Sequence, residues 1–448
     1  MPVKSFSVNL KDKIKPFNKI IKVDSDKSLS IRSFLIGSIC QNISTTNNIL
    51  ESEDVKSTIA VCRKLGVKIE KVKPQSYKIY GKGLGSLHAK KNSTLNCSNS
   101  GTLARLIVGI LSTTPDIEVN IKGDHSLSKR SMKKLIELMS EFGTSFVPKN
   151  KFHFPLKIIS TEMPIGINYN AGVSAQLKSA VILAGLNSYG DTEITEEIRS
   201  RDHTENLLSS NTQAIKIKSR KKKLIKIHGK KYLKPIHVNI PGDVSSSSFF
   251  AALTLLNQNS SLKIKNVGLN PTRTGFYEIL KKQKAKVRFT NIKKENNEIR
   301  GDIVIKSSKL KSIKTPSSLY PRTTDEYPIL FVIAALTKGT SVFKNVGDLV
   351  NKEANRITEM QKVLRQVGVK SVSSKKEFKI FGKGMFDASN KKITVPNLGD
   401  HRIAMATFIL AILTNAQARI KNFETVFTSS PSFLRIIKSL GAKFEIQK

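Results

Sequence analysis

The chain has 448 residues, 39% of them apolar, and three cysteines without Cys-x-x-Cys or metal-finger spacing. That length gives two or more domains with sizeable cores, the cysteines exclude a disulfide-stapled or zinc-ribbon framework and fit a reducing cytoplasm, and no apolar run reaches the ~20 residues of a membrane span. Lys and Arg outnumber Asp and Glu by 76 to 34, a net charge of +42. The lysines are dispersed and few aromatics interleave with them, so a lysine bias on solvated faces, with attraction of anionic small substrates, is favoured over nucleic-acid binding.

In chain order, Met1 to Lys15 has no signal-peptide core and reads into a strand. Asp26-Lys27-Ser28 opens a helix, with Arg32 one turn after Ser28 on the same face. That is a phosphate or carboxylate grip, or a capped helix with surface cations. Asn99-Ser100-Gly101-Thr102 precedes the apolar run Leu103 to Leu111. Such a start leaves backbone N–H donors unpaired and carries a partial positive charge, which suits an anion; Arg105 adds a cationic fork. Gly123 to Arg130 is a turn leading into a helix at Met132, and Arg130 is a second anion ligand or a solvated cation.

Ser174-Ala175-Gln176 begins a helix that is otherwise apolar apart from Lys178 and Ser179, so Gln176 needs a polar partner or a ligand. Ser200-Arg201-Asp202-His203-Thr204-Glu205 is a charged helix cap or the edge of a site, with Arg201 its useful cation. Pro241-Gly242-Asp243 with the serines to Ser248 reads as structural, and as a crossing between two halves of the chain. Pro271 to Gly275 is a turn without an evident role. Asp325 before Tyr327-Pro328 is either a helix cap or a general base facing a substrate hydroxyl. Glu353 lies between Lys352 and Arg356, either as an ordinary ion-pair set or as a proton carrier between anion-holding cations. Gly399-Asp400-His401-Arg402 joins acid, imidazole and guanidinium at one helix start and is the most site-like of the later pieces.

These helix starts recur near Ser28, Ser100, Ser174, Ser245, Asp325 and Asp400, at intervals of roughly 70–80 residues. Short β-rich runs lie between them, among them Lys78 to Tyr80, Ile117 to Ile121, Ile236 to Ile240, Leu262 to Val267 and Ile303 to Lys306. Lys78-Ile-Tyr-Gly-Lys-Gly-Leu84 is nearly repeated as Lys379-Ile-Phe-Gly-Lys-Gly-Met385, each after a helix that ends in Gly-Val-Lys. Six mixed units, read as three plus three, predict two similar α/β domains. The candidate site has many cations, a few acids, and no serine nucleophile elbow, Cys/His pair, zinc cluster or Walker loop. It fits two phosphorylated or carboxylated substrates joined by acid–base chemistry.

Taken together, Asp26-Lys-Ser…Arg32, Asn99-Ser-Gly-Thr…Arg105, Gly123-Asp…Arg130, Ser174-Ala-Gln, Ser200 to Glu205, Pro241-Gly-Asp…Ser246, Asp325-Glu…Pro328, Lys352-Glu…Arg356 and Gly399-Asp-His-Arg resemble the EPSP synthase (3-phosphoshikimate 1-carboxyvinyltransferase) family, over almost the whole chain. The resemblance implies an α/β fold of two domains, each of three βαβαββ-type units, the inside-out α/β barrel of the enolpyruvyl transferases. The domains would be 24–240, and 1–23 with 241–448, with the site in the cleft between them and closure on substrate. It implies enolpyruvyl transfer from phosphoenolpyruvate to the 5-hydroxyl of shikimate 3-phosphate, without metal or organic cofactor, by a cytoplasmic monomer with no nucleic-acid partner. By motif, Lys27, Ser28, Arg32, Ser174, Gln176, Arg201, Asp325 and Lys352 would hold shikimate 3-phosphate. Lys27, Gly101, Arg130, Gln176, Arg356 and Arg402 would hold phosphoenolpyruvate. Asp325 would take the hydroxyl proton, Glu353 would protonate the methylene carbon, and Lys27 and His401 would assist.

Three positions depart from the family's pattern: Asn355 where Asp is frequent, Ser131 where Pro usually follows the Arg, and Thr428-Ser429-Ser430-Pro431 where one branch carries a Lys. Gly101 is retained where glyphosate-tolerant relatives can have Ala, which predicts glyphosate sensitivity. The alternatives are the sister enolpyruvyl transferases acting on UDP-N-acetylglucosamine, which use a loop cysteine that Cys40, Cys62 and Cys97 do not match, and a basic nucleic-acid-binding protein.

Overall fold

The computed structural model describes residues 6–10, 14–219, 221–374 and 376–447. Of the opening stretch, residues 1–5 and 11–13 lie outside these; between them Ser7–Leu10 is a strand. The chain divides into two units. The N-terminal unit is Ser25–Pro241 with Lys294–Glu298; the C-terminal unit is the described part of Met1–Asp24, Gly242–Lys293 and Ile299–Lys448.

Six central helices carry the recurring starts: Lys27–Ile39, Gly101–Ser112, Ala175–Gly185, Val244–Leu256, Tyr327–Ala335 and His401–Thr414. Their sequences are apolar nearly all round, as a helix enclosed on every side requires; every residue of the last three is buried. The caps differ in detail from the sequence expectation. Asp26 caps the first helix, accepting from the Leu29 N–H at 2.8 Å. Asp243 rather than Ser245 caps the fourth, accepting from Ser245 and Ser246. The fifth begins after Glu326, without a side-chain cap bond. In each case an acid two or three residues earlier reaches the free N–H groups, or the chain turns in without one.

The strands form six separate four-stranded sheets, and among the described residues none closes on itself. The pattern is clearest in the second repeat, within the N-terminal unit. Thr94–Asn96 crosses over through a central helix to the parallel Glu118–Lys122; an outer helix, Lys133–Glu141, then leads to Ser145–Val147 and Leu156–Ile159, which pair antiparallel. This is the βαβαββ order. Three of the six are assembled out of chain order. The strand parallel to Ile43–Asn47 in the first repeat is His237–Asn239. Asn18–Ile21 pairs instead with Ser261–Gly268 of the fourth repeat, and Ser7–Leu10 completes the sixth between Gln417–Ile420 and Phe444–Gln447.

The near-copied strand ends have a packing cause. A Cβ on Gly81 would lie 2.2 Å from the Cys40 carbonyl oxygen, and one on Gly382 1.9 Å from that of Thr337; Gly229 meets Ser188 in the same way. Each glycine lets a strand end press against the C-terminal carbonyls of a central helix, where no side chain fits. Each unit has its own core, one running from Leu29 to Ile240 and the other from Phe6 to Ala442. All three cysteines are buried; burial pushes the Cys62 thiol up to about 11 and those of Cys40 and Cys97 to about 12.

Candidate functional site

In the N-terminal unit, three helix starts present the expected anion ligands. Lys27, first residue of its helix, pairs with Asp54 at 3.0 Å, and Ser28 beside it is half-buried. Arg32 is buried and braced at three points: Nε donates to Thr204 Oγ1 at 2.8 Å, Nη2 to Ser179 Oγ at 3.2 Å, and Nη1 to the Ser28 carbonyl at 3.1 Å. The guanidinium is therefore held in one orientation, which a flexible surface arginine is not.

At the second helix, Ser100 caps the Leu103 N–H and Gly101 is the first helical residue. Two guanidiniums converge above it: the site of a Gly101 Cβ is 2.6 Å from Arg130 Nη1 and 2.8 Å from Arg105 Nη1. Arg105 also donates to the Gly101 carbonyl at 3.1 Å. The Arg130 Nε is buried and has no hydrogen-bond partner among the described residues. Two like charges beside a helix N-terminus, one with an unused donor, form a place for an anion. Gln176, from the third helix, donates to Thr102 Oγ1 at 3.0 Å and so stands at the same place; Ser174 caps that helix. Arg201 is half-buried at the turn before His203–Ser209.

In the C-terminal unit the acids gather on Arg356, which is 1% exposed. Its Nε bonds Asp400 at 2.8 Å, its Nη2 bonds Glu353 at 2.8 Å, and its Nη1 lies 3.6 Å from Asp325. Burial alone would lower the guanidinium's proton affinity, but these three carboxylates outweigh it and hold it firmly cationic. Nη1 makes no hydrogen bond among the described residues. Asp400 has a second task, capping the sixth helix through the N–H groups of Arg402 and Ile403. Arg402 is buried, lies 5.9 Å over the Phe249 ring, and has Nε and Nη1 without partners among the described residues. His401 is buried at the first position of that helix.

Several residues sit differently from the sequence expectation. Lys352 and Arg356 do not share a helix: Lys352 follows the short 3-10 turn Gly347–Asn351, and Arg356 begins Arg356–Gln366. Lys352 pairs with Asp348 at 2.6 Å, and Tyr320 donates to the same carboxylate at 3.0 Å. Burial would raise the Asp348 carboxyl, but the Lys352 ammonium outweighs it and holds it low. Asn355 caps its helix by accepting from the Thr358 N–H at 3.1 Å; the support of Arg356 comes from Asp400, Glu353 and Asp325 instead. Ser131 accepts weakly from the Lys133 N–H, and Thr428 bonds the Thr425 carbonyl.

Arg273, from the turn that had no evident role, donates to Ser245 Oγ at 2.9 Å, lies 3.5 Å from Asp243, and so ties the fourth helix start together; Ser245 also bonds Glu326, the neighbour of Asp325. Sequence reasoning also missed the partners of Lys178, whose charge inside an apolar helix was the signal that they must exist.

Among the described residues no group of three or more His, Cys, Asp or Glu could hold a metal, and no helix is long and apolar enough to cross a membrane. A family model described as EPSP synthase (3-phosphoshikimate 1-carboxyvinyltransferase) matches residues 11–437. The 3-phosphoshikimate 1-carboxyvinyltransferase of Zymomonas mobilis subsp. mobilis is 35% identical over 440 residues, covering 97% of this chain and 96% of that one. Its counterpart in Bacillus cytotoxicus is 37% identical over 431 residues, covering 95% and 98%. A solved structure of EPSP synthase from Acinetobacter baumannii aligns with a TM-score of 0.85 at 32% identity, over 99% of this chain and 100% of that one. The enolpyruvyl transferase NikO from Streptomyces tendae, at 10% identity and a TM-score of 0.74 over 99% of each chain, shares the fold. The chain belongs to the EPSP synthase (3-phosphoshikimate 1-carboxyvinyltransferase) family.

Proposed function

We propose that the family's reaction runs in this chain on the two groups of side chains described above. The enzyme transfers the enolpyruvyl group of phosphoenolpyruvate to the 5-hydroxyl of shikimate 3-phosphate, giving 5-enolpyruvylshikimate 3-phosphate and phosphate, a step of aromatic amino-acid biosynthesis. Lys27, Ser28, Arg32, Ser174, Gln176, Arg201, Asp325 and Lys352 hold shikimate 3-phosphate; Lys27, Gly101, Arg130, Gln176, Arg356 and Arg402 hold phosphoenolpyruvate. The observation that carries this reading is the set of three guanidiniums, Arg130, Arg356 and Arg402, each with a buried nitrogen that lacks a hydrogen-bond partner among the described residues. Buried donors left unused cost free energy until an anion takes them.

Asp325 accepts the proton of the 5-hydroxyl as its oxygen bonds to C2 of phosphoenolpyruvate, and Glu353 gives a proton to the methylene carbon, which becomes a methyl group. Loss of phosphate and of one methyl proton then restores the double bond. Lys27 and His401 assist by charge and orientation. Both substrates are anions that repel each other, and fixed cations offset that repulsion before the reaction begins. The enzyme works as a cytoplasmic monomer without nucleic acid.

Phosphate release from phosphoenolpyruvate, measured with and without shikimate 3-phosphate, tests the reading. Release should need shikimate 3-phosphate and fall by about 10²–10⁴-fold in Asp325→Ala, the range for a lost general base. Undiminished release in that variant would remove Asp325 from the chemistry. Release with UDP-N-acetylglucosamine in place of shikimate 3-phosphate would move the chain to the sister activity.

A further inference from the structure

Behind the Arg32 brace lies a set of charges that the chemistry above does not use. Lys178, on the third central helix, is fully buried and pairs with Glu196 at 2.8 Å and Glu205 at 2.7 Å, both also fully buried. Lys223 reaches Glu205 at 3.2 Å and lies 4.0 Å from Glu196. Asp202, less deeply buried, lies 3.9 Å from Lys223, so the two ammoniums face two fully buried carboxylates and a third at the edge of the set. Their isolation there would be prohibitive without each other, and a buried ionic set of this kind is weak as a source of stability but strict in geometry.

The elements it joins are the ones that carry the shikimate 3-phosphate ligands. Lys178 lies on the helix whose first turn holds Ser174 and Gln176. Glu196 Oε1 accepts from both the Ser200 N–H, at 2.8 Å, and the Ser200 hydroxyl, at 2.6 Å, which fixes the turn that presents Arg201. Glu205 follows Thr204, and Lys178 precedes Ser179; those two hydroxyls bond each other at 2.8 Å and are the ones that brace Arg32. One network therefore ties together three separate stretches of chain at the point where each offers a ligand.

We propose that Lys178, Glu196, Glu205 and Lys223 are positioning residues that set the geometry of the shikimate 3-phosphate grip formed by Arg32 and Arg201. This rests on the assignment of those two residues as shikimate 3-phosphate ligands. The network acts only through them and touches no reacting atom, so its loss weakens one substrate and spares the other.

The test is steady-state kinetics on the whole enzyme with Lys178→Met, beside Arg32→Ala and Arg201→Ala. Lys178→Met should raise KM for shikimate 3-phosphate about tenfold or more, the scale of a lost buried contact, and leave KM for phosphoenolpyruvate within about twofold. Lys178→Met with Glu205→Gln keeps the charge balance and carries the same KM test if the single variant does not fold. An unchanged shikimate 3-phosphate KM in a folded Lys178 variant, alongside raised values in Arg32→Ala and Arg201→Ala, would overturn the positioning role. Unchanged values in those two arginine variants would overturn the ligand assignment, and the inference with it.

Discussion

Asp400 shows how one side chain can serve two structures at once. Its Oδ1 caps the sixth central helix and its Oδ2 holds Arg356. Asp400→Asn keeps the cap acceptor and removes the charge that faces a fully buried guanidinium. Urea unfolding should show a loss of about 3–5 kcal/mol, the usual cost of stranding one member of a buried pair. A loss under about 1 kcal/mol would mean that Glu353 and Asp325 suffice to hold Arg356. Gly101→Ala acts on geometry alone. The new methyl would meet the tips of Arg130 and Arg105, which are flexible, so the forks move and the helix stays. Stability should change by no more than ~0.5 kcal/mol, while KM for phosphoenolpyruvate rises about tenfold, or 1.4 kcal/mol, and glyphosate inhibition weakens with it. Unchanged kinetics would place the anion elsewhere.

At the scale of elements, the buried charges of the third helix and its neighbours have a pH signature. Burial alone would push the Glu205 carboxyl above its ordinary 4.5, but the Lys178 and Lys223 ammoniums outweigh it and hold it below. Burial would likewise depress Lys178 from its ordinary 10.5, and Glu205 and Glu196 outweigh that and raise it. The carboxylate's contribution is present above about pH 4.5 and is lost as pH falls through its lower folded value. The ammonium's is present below about 10.5 and is lost as pH rises through its higher folded value. Urea unfolding followed across pH should therefore fall off on the acid side less steeply in Glu205→Gln than in the wild type. Equal slopes would remove Glu205 from the acid response. The elements themselves were mostly legible. Gly-Val-Lys helix ends and Ile-Tyr-Gly-Lys or Ile-Phe-Gly-Lys strand ends repeat because a strand must cross a helix's last carbonyls at close range. Cap residues were less legible, since any nearby acid competes with serine for the same N–H groups.

For the whole molecule, the net charge of +42 meets two anionic substrates. Long-range attraction raises encounter rates and is screened by salt over about 10 Å at 0.1 M. Raising ionic strength from about 0.02 to about 0.3 M should lower kcat/KM for both substrates by about three- to tenfold and leave kcat nearly unchanged. A kcat/KM independent of salt would make the charge a matter of solvation alone.

The sequence by itself determined the six-fold recurrence, the apolar central helices, the family and the residue types of the site, because capping, helical periodicity and close-packed glycines are local and each leaves a mark a few residues long. Only the tertiary structure decided which strand completes which sheet: Ser7–Leu10, Asn18–Ile21 and His237–Asn239 pair with partners remote in the chain, and register across such distances is set by packing. It alone decided that Asp348 takes Lys352, that Asp400 takes Arg356, and that Lys178 meets Glu196 and Glu205. A buried charge announces that it needs a partner, but which one it finds depends on how the elements fold around it.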